Sequence, residues 1–550
     1  MKKFTLIFIG ILLSSSFLMA GGLVHNTNQS AAWSRMLSRG ASVDIDAVYF
    51  NPAGLTKLGD GFHISLSSQS IKQDQTITAT FPYLNSERYT GKITAPVFPS
   101  AYLVYKTGKW AFSFGFIAIG GGGGASFQRG VPLMEVPVAS LVPAFGEMGV
   151  TGYSVDMFFE GTSVYWGLQA GVSYAINDNI SLFAGARYVM AKNTYKGHLK
   201  DITLETTGGD MRADDFMNGV ADQADYGAQI ATGAAAGMQP IIDGGGGPLT
   251  WDQAVAMGVL TEVQSLTLQG GLVQLGVPAD QVASMDLATA QGAYTQTAGA
   301  LTAQAGQLRG GAVLMADQEG DITQTGNGIT PIIGANLSFF EDNLNIGLKY
   351  EFKTKMDLTN DVAPGKGFVI GMDPATGQPI EMFPDGAVTN ADLPSMLSIG
   401  IDYRVIKPLK LSVTYHAYGD KGTGWGSEDN TPKTIDKNFW EFAFGLEYNA
   451  TENFILSAGY LRAQTGVNQA YQSNLGFSLT SNTFAAGMAY RFNETFMLNL
   501  GAYRVTYDEQ TYDMNYEIMG SGIEVPYTET YLKSTIAFAI GLDISIGPKK

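Results

Sequence analysis

The chain has no cysteine among its 550 residues, so neither a disulfide framework nor a lipid carried on an N-terminal cysteine is available to it. Beyond residue 20 it also lacks any apolar run near the roughly 18–20 residues that a membrane helix needs. Charge is scarce: 15% of residues are Asp, Glu, Lys or Arg, against about 25% in an ordinary soluble domain. Basic charge is scarcer still, with 33 Lys and Arg against 50 Asp and Glu. That balance excludes the counter-ion-displacing basic surface that nucleic acid requires. The four histidines, His25, His63, His198 and His416, are scattered, and none falls in a metal-binding spacing. No G-x-S-x-G elbow and no phosphate loop is present, so the sequence argues for no enzyme, no metal and no cofactor. What it does have in quantity is glycine, 68 residues, and aromatic side chains, 11%.

Lys2 and Lys3 precede an apolar run from Phe4 to Leu13, and Ala20 offers a small residue for cleavage. This reads as a secretory signal peptide over residues 1–20, its run too short to act as an anchor. From Phe62 onward, segments with period-two alternation recur, each close to the 9–11 residues of a tilted membrane strand. About fourteen can be counted: 62–72, 97–106, 109–120, 161–175, 179–195, 329–340, 342–354, 393–406, 409–419, 436–449, 453–463, 481–492, 495–507 and 532–546. In the last, Ile536, Phe538, Ile540, Leu542, Ile544 and Ile546 oppose Thr535, Ala537, Ala539, Gly541, Asp543 and Ser545. Arg187, Lys349, Glu351, Glu441, Glu447, Arg504 and Asp543 are expected to face inward as ion pairs, in pairings the sequence does not assign. Tyr174, Tyr188, Tyr350, Tyr403, Tyr448, Tyr490 and Tyr507 fall near strand ends, as an interfacial girdle would.

A large soluble antiparallel protein would also alternate, so the connections matter more. Tight links such as Asn177-Asp178, Lys407-Pro408 and Asn493-Glu494 alternate with long ones at 73–96, 121–160, 196–328, 355–392, 420–435, 464–480 and 508–531. This is the pattern of a closed membrane barrel with short turns at one rim and long loops at the other. Closure also removes the exposed edges of an open sheet.

Before the strands lies a stretch of another kind, 28–58, NQSAAWSRMLSRGASVDIDAVYFNPAGLTKL. Its apolar residues do not alternate, and Gly40 and Asn51-Pro52 interrupt any helix. Arg35, Arg39, Asp44 and Asp46 suit a surrounding that is polar on all sides. Asn51-Pro52-Ala53-Gly54 predicts a turn, Pro52 fixing its own φ and Gly54 able to take a positive one. A signal peptide, a small-residue segment ending in NPAG, then amphipathic strands: this order resembles the FadL/OmpP1/TodX family of outer-membrane hydrophobic-compound channels. The resemblance covers most of the chain and implies a hatch, 21–61, lodged in a barrel formed by 62–550. It makes Asn51, Pro52, Ala53 and Gly54 hatch or gate residues.

Gly120, Gly121, Gly122, Gly123 and Gly124 form an unbroken run at the end of the third strand. Glycine weakens pairing and permits bends. The resemblance implies a lateral opening there; the alternative is a flexible start to a long outer loop. The 196–328 stretch is longer than a connection needs. Thr250 to Gln253 has capping-box spacing, and Trp251, Val255, Val259 and Val263 recur every four residues until Gly270-Gly271, predicting one helix with an apolar stripe. A weaker helix could follow Pro278. The stripe could capture a hydrophobic ligand at the barrel mouth, or the helices could simply pack on each other.

The expected fold is therefore all-β, a transmembrane antiparallel barrel of about fourteen strands, with an N-terminal hatch in the lumen and a partly helical extracellular insertion at 196–328. The expected function is passive transport of a hydrophobic small molecule, long-chain fatty acid or similar, across a bacterial outer membrane. Expected partners are that ligand, outer-membrane lipids and lipopolysaccharide, with the barrel a monomer. The rival reading is a barrel-anchored adhesin or complex-forming protein that uses 196–328 as its binding surface. An open hydrophilic porin is a third.

Overall fold

A computed structural model describes residues 25–373, 376–424, 434–518 and 522–547. The predicted signal peptide and the Lys549-Lys550 end lie outside the described residues. Fourteen long strands follow one another around a closed antiparallel wall. They are β1 (Gly61–Ala79), β2 (Arg88–Thr107), β3 (Trp110–Phe127), β4 (Val150–Ala175), β5 (Ile180–Thr206), β6 (Gln318–Phe339) and β7 (Leu344–Glu351). They continue with β8 (Met396–Ile406), β9 (Leu409–Tyr418), β10 (Trp440–Asn449), β11 (Phe454–Gln464), β12 (Ser481–Arg491), β13 (Phe496–Tyr507) and β14 (Glu524–Ile546). Each pairs with the next, and β14 returns to β1 in continuous register from Phe62↔Ile546 to Ala79↔Glu529. The wall thus has no free edge to be covered.

Alternation sets the two faces. Outward side chains such as Phe112, Phe114, Ile333, Phe442, Phe444, Phe538 and Ile540 are exposed, while their neighbours Ala111, Ser113, Ala443, Ala537 and Ala539 are buried. Among the described residues no helix is long and apolar enough to cross a membrane; an exposed apolar band on a closed wall crosses by strands instead. Two assignments change. Arg504 is exposed, because inward-facing Tyr503 and Val505 set the phase of β13; it stands between Phe484 and Ile536 on the outer face. Tyr507 points into the lumen, where its hydroxyl lies 3.3 Å from that of Thr535.

The long-loop end departs most from the alternation pattern. β4 and β5 run for 26 and 27 residues, more than twice the roughly 10 that the apolar band requires. The insertion therefore begins as wall, through Thr206, and returns to wall at Gln318. Between them α5 (Ala213–Ile241) and α9 (Leu287–Leu314) form an antiparallel stalk packed through small residues such as Ala221, Ala228 and Ala305. At 1.5 Å per residue the stalk is about 40 Å long. Three short helices, α6 (Trp251–Ala256), α7 (Glu262–Gln274) and α8 (Ala279–Ser284), close its far end over Trp251, Leu272, Val282 and Tyr294. Two more, α3 (Pro132–Ala139) and α4 (Leu141–Phe145), fold over its base, where Val138, Leu141 and Phe145 share an apolar cluster with Met217 and Leu308.

Candidate functional site

The hatch occupies the lumen. Residues 26–55 are almost all buried and include α1 (Ala31–Met36) and α2 (Ala47–Phe50), with a 3-10 turn following at Pro52–Lys57. Its backbone lies directly on the wall. Cross-strand glycine pairs Gly347–Gly400, Gly445–Gly459 and Gly487–Gly501 face inward where it passes. A Cβ at Gly347 would stand 2.2 Å from the Gly40 carbonyl oxygen, one at Gly459 1.9 Å from that of Met36, and one at Gly501 2.7 Å from the Arg35 nitrogen. Only a wall without side chains along this belt admits the hatch so closely.

Ionic contacts hold the short-turn side. The Arg39 guanidinium donates to both oxygens of Asp46, at 2.6 and 2.9 Å, and to Asp44 at 2.7 Å, closing the hatch on itself. Arg35 reaches out to Glu447 at 2.7 Å and Asn499 at 3.1 Å. On β5 and β7, Arg187 donates bidentately to Glu351, which also takes a bond from Lys349; Lys349 in turn donates to the Tyr49 carbonyl at 2.6 Å. Three of the predicted inward charges, Arg187, Lys349 and Glu351, thus stand in one network that includes the hatch backbone.

The four NPAG residues are an anchorage. The Asn51 amide donates to Asn336 of β6 at 2.8 Å, Ser173 of β4 to the Pro52 carbonyl and Ser181 of β5 to the Ala53 carbonyl, both at 2.7 Å. Gly54 does not take a positive φ. It is required for space, since a Cβ there would stand 2.7 Å from the Ser42 carbonyl oxygen.

The glycine run is not the end of β3. Pairing with β4 continues through it to Phe127↔Phe159, with bulges between Ala118 and Gly120 and between Gly121 and Gly123. It is the other ladder that fails. β2–β3 register runs from Gly91↔Phe127 to Ile93↔Ala125 and resumes only at Ala101↔Phe116. Thr94–Ser100 of β2 and 117–124 of β3 are left unpaired across the gap. Both strands carry the cause: Pro96 and Pro99 have no N–H to donate, and Gly121 takes φ +70°.

The hatch reaches the carbonyls freed there. The Asn26 side-chain amide donates to the Gly121 carbonyl at 2.8 Å, and that of the fully buried Gln29 to the Ala118 carbonyl at 2.9 Å. Tyr102 and Tyr49 hold this strap by donating to the carbonyls of Gln29, at 2.6 Å, and Asn26, at 3.1 Å. His25, at its start, stacks on Phe439 at 3.9 Å and contacts Asp420 at 2.8 Å. No sequence motif marks Asn26 or Gln29; the prolines opposite the glycine run were the available signal.

Behind the gap the lumen is apolar. Ile117 and Ile119, on its β3 lip, belong to one cluster with hatch residues Trp33, Val48 and Phe50 and with Tyr165, Val189, Met396 and Leu461 from the wall. A second cluster lies toward the long loops, with Tyr89, Phe127, Phe159, Phe477 and Tyr531.

The predicted capture stripe is divided. α6 ends at Ala256, Gly258 takes φ +73°, and α7 starts anew at Glu262 and runs through Gly270-Gly271. The capping box is present. Trp251 is buried and donates to the Val282 carbonyl at 2.7 Å; Val255 and Val259 pack on the same cluster, and Val263 is exposed.

No protein-family model matches the chain, and no curated protein matches its sequence. Solved structures do. The crystal structure of a Pseudomonas aeruginosa FadL homologue matches over 96% of this chain and 100% of its own, at 14% identity and a TM-score of 0.55. The P. putida toluene transporter TodX matches over 92% and 95%, at 13% identity and a TM-score of 0.48. The Ralstonia pickettii toluene transporter TbuX matches over 96% and 100%, at 15% identity and a TM-score of 0.45. With fourteen closed strands, the likeness to the FadL homologue establishes a FadL-type barrel fold for this chain.

Proposed function

We propose that this FadL-type barrel resides in a bacterial outer membrane and passes a hydrophobic small molecule from its long-loop mouth to the membrane through the gap between β2 and β3. The observation that carries the reading is continuity. The apolar cluster in the lumen includes the lip of the gap itself, Ile117 and Ile119, so an apolar solute need not meet the ionic layer beneath. A water-filled pore would be of little use to such a solute, and a plugged lumen with a side exit supplies what it needs. Asn26 and Gln29 form the latch: they satisfy the unpaired β3 carbonyls at rest, and release of the strap opens the path. The anchored NPAG end stays put while the strap moves. Transport is passive, with long-chain fatty acids or monoaromatic hydrocarbons as the substrate classes to test.

Uptake of a radiolabelled long-chain fatty acid and of radiolabelled toluene into cells carrying the protein tests this. Ile119→Arg places a charge at the gap and should abolish uptake of the transported class while the barrel still shows its folded mobility on an unheated gel. Unchanged uptake by a folded Ile119→Arg barrel would exclude the lateral path. A large steady conductance of the wild type in planar bilayers would favour the open porin. Removal of residues 213–314 separates the adhesin: attachment lost with uptake retained would make the stalk, not the gap, the functional part.

A further inference from the structure

The wall has a second irregularity, on its outer face. β6 pairs with the segment Asp357–Gly367 as far as Thr325↔Thr359, and with β7 from Ile332↔Glu351, leaving 326–331 between the two ladders. A cleft of about 950 Å³ opens there. Tyr188 and Met190 line it from the outward face of β5, Tyr188 directly across from exposed Ile329, with exposed Ile333 below. Lys353 and Lys355 line it across β6, Lys355 beside Gly328 and so at the level of Val189. Lys192, one pleat above Met190, is the cross-strand neighbour of the cleft residue Thr325 on the same face. Counting from the start of β5 at about 2.5 Å of height per residue of tilted strand, Tyr188 stands about 20 Å and Lys192 about 30 Å above the short-turn rim. The apolar band of such a barrel is about 25 Å tall, so the cleft straddles the level where acyl chains give way to headgroups.

We infer that this cleft is a binding site for the phosphorylated sugar headgroup of an outer-leaflet glycolipid. Charge selects the occupant. In a chain with an excess of acid, this stretch of outer wall gathers three lysines. Lys353 is paired with Asp392 at 2.8 Å, but Lys192 and Lys355 have no ion-pair partner among the described residues. Those two ammonium groups are free to meet phosphate. Asp357 and Thr325 of the lining, both exposed, suit sugar hydroxyls, which a simple phosphate ester of glycerol offers sparingly. Acyl chains below would lie on Ile329 and Ile333. The site faces away from the lumen, so it rests only on the outer-membrane part of the proposal above, not on its transport path.

The test is native mass spectrometry of the full-length protein in mild detergent, titrated with bisphosphorylated lipid A, with its dephosphorylated form and with phosphatidylglycerol. Wild type should retain one lipid A, and the Lys192→Gln/Lys355→Gln double variant should bind it at least about tenfold more weakly. Both substitutions are on the outer surface, and the unheated gel checks that the barrel is intact. Equal retention by variant and wild type overturns the site. Dephosphorylated lipid A binding as well as the parent overturns the role of the lysines, and phosphatidylglycerol binding as tightly overturns the glycolipid. Uptake measured on the same double variant should be unchanged, so failure of the site and failure of the transport path give different results.

Discussion

A glycine that faces the lumen does what no other residue could do at the same place. At Gly459 the first atom of any side chain would overlap the Met36 carbonyl of the hatch, 1.9 Å away, whereas the ladder bonds to β10 and β12 need no side chain at all. Gly459→Ala should therefore leave the barrel assembled and unseat α1; the expected signs are a gel mobility like that of wild type, new protease cleavage within residues 25–58 and raised single-channel conductance. Retention of a protected hatch would show that the wall can shift to admit the methyl. The two faces of β14 offer a companion measurement. Ile540 is 55% exposed and Ala539 is 7% exposed. Ile540→Arg sets a charge against acyl chains and should cost about 2–4 kcal/mol of folding free energy in bilayers if near the midplane. Ala539→Arg meets the hatch side of the lumen, so its cost comes from crowding and should fall when the hatch is deleted. Identical costs with and without the hatch would contradict this inside and outside.

At the scale of elements, what could be read ahead was what the bilayer itself imposes. In β14 and β10, lipid on one side and lumen on the other force a period of two, and all fourteen barrel strands follow from it. Above the bilayer the same wall has water outside, the constraint ends, and KGHLKDITLET at 196–206 reads as loop although it is strand. The stalk was hidden for a related reason: α5 and α9 meet through alanine, which leaves no large apolar stripe, so only the capped helix with Trp251 stood out. The latch was invisible because Asn26 and Gln29 act on backbone carbonyls that no sequence shows to be free. The stalk's far end closes on its own core, and Trp251 is its largest buried side chain at 3% exposure. Trp251→Ala should cost that end about 3–5 kcal/mol. Hydrogen exchange in α6 and α8 should then rise with exchange in the wall unchanged; a global change would mean that stalk and barrel fold as one. Asp286 at the start of α9 gives a pH readout. Its hydrogen bonds with Thr289 hold the carboxyl below the ordinary value of 3.8. A depressed folded pKa means that the cap contributes fully above that ordinary value and is lost as pH falls through the lowered one. Exchange in the first turn of α9 should rise on such acidification in wild type, and Asp286→Asn, which still caps, should flatten the response.

For the whole molecule the question is whether the plug or the wall sets the permeability. The wall closes on itself by main-chain bonds from β1 round to β14, and none of those ladders passes through residues 25–58. The hatch, by contrast, brings Arg35 and Arg39 into the lumen and neutralises wall and hatch carboxylates with them. Deleting 25–58 should therefore leave a folded, open cylinder lined by the wall's own charges. At the level of the hatch the wall turns inward Glu351, Glu441, Glu447, Asp402 and Asp543 against Arg187, Lys349 and Lys410, with His416 bonded to Glu441; Lys106 stands apart at the short-turn rim, and Lys533 and Glu529 toward the long loops. A ring of excess carboxylate attracts cations and repels anions. The deleted protein in planar bilayers should show large steady conductance, and under a potassium chloride gradient its reversal potential should have the sign of a cation-selective pore. Wild type in the same membrane should conduct little. An anion-selective deletion variant would place the net lumen charge elsewhere than on these residues, and a deletion variant as closed as wild type would move the barrier from the hatch to the long-loop end, where Tyr89, Phe127 and Phe477 cluster.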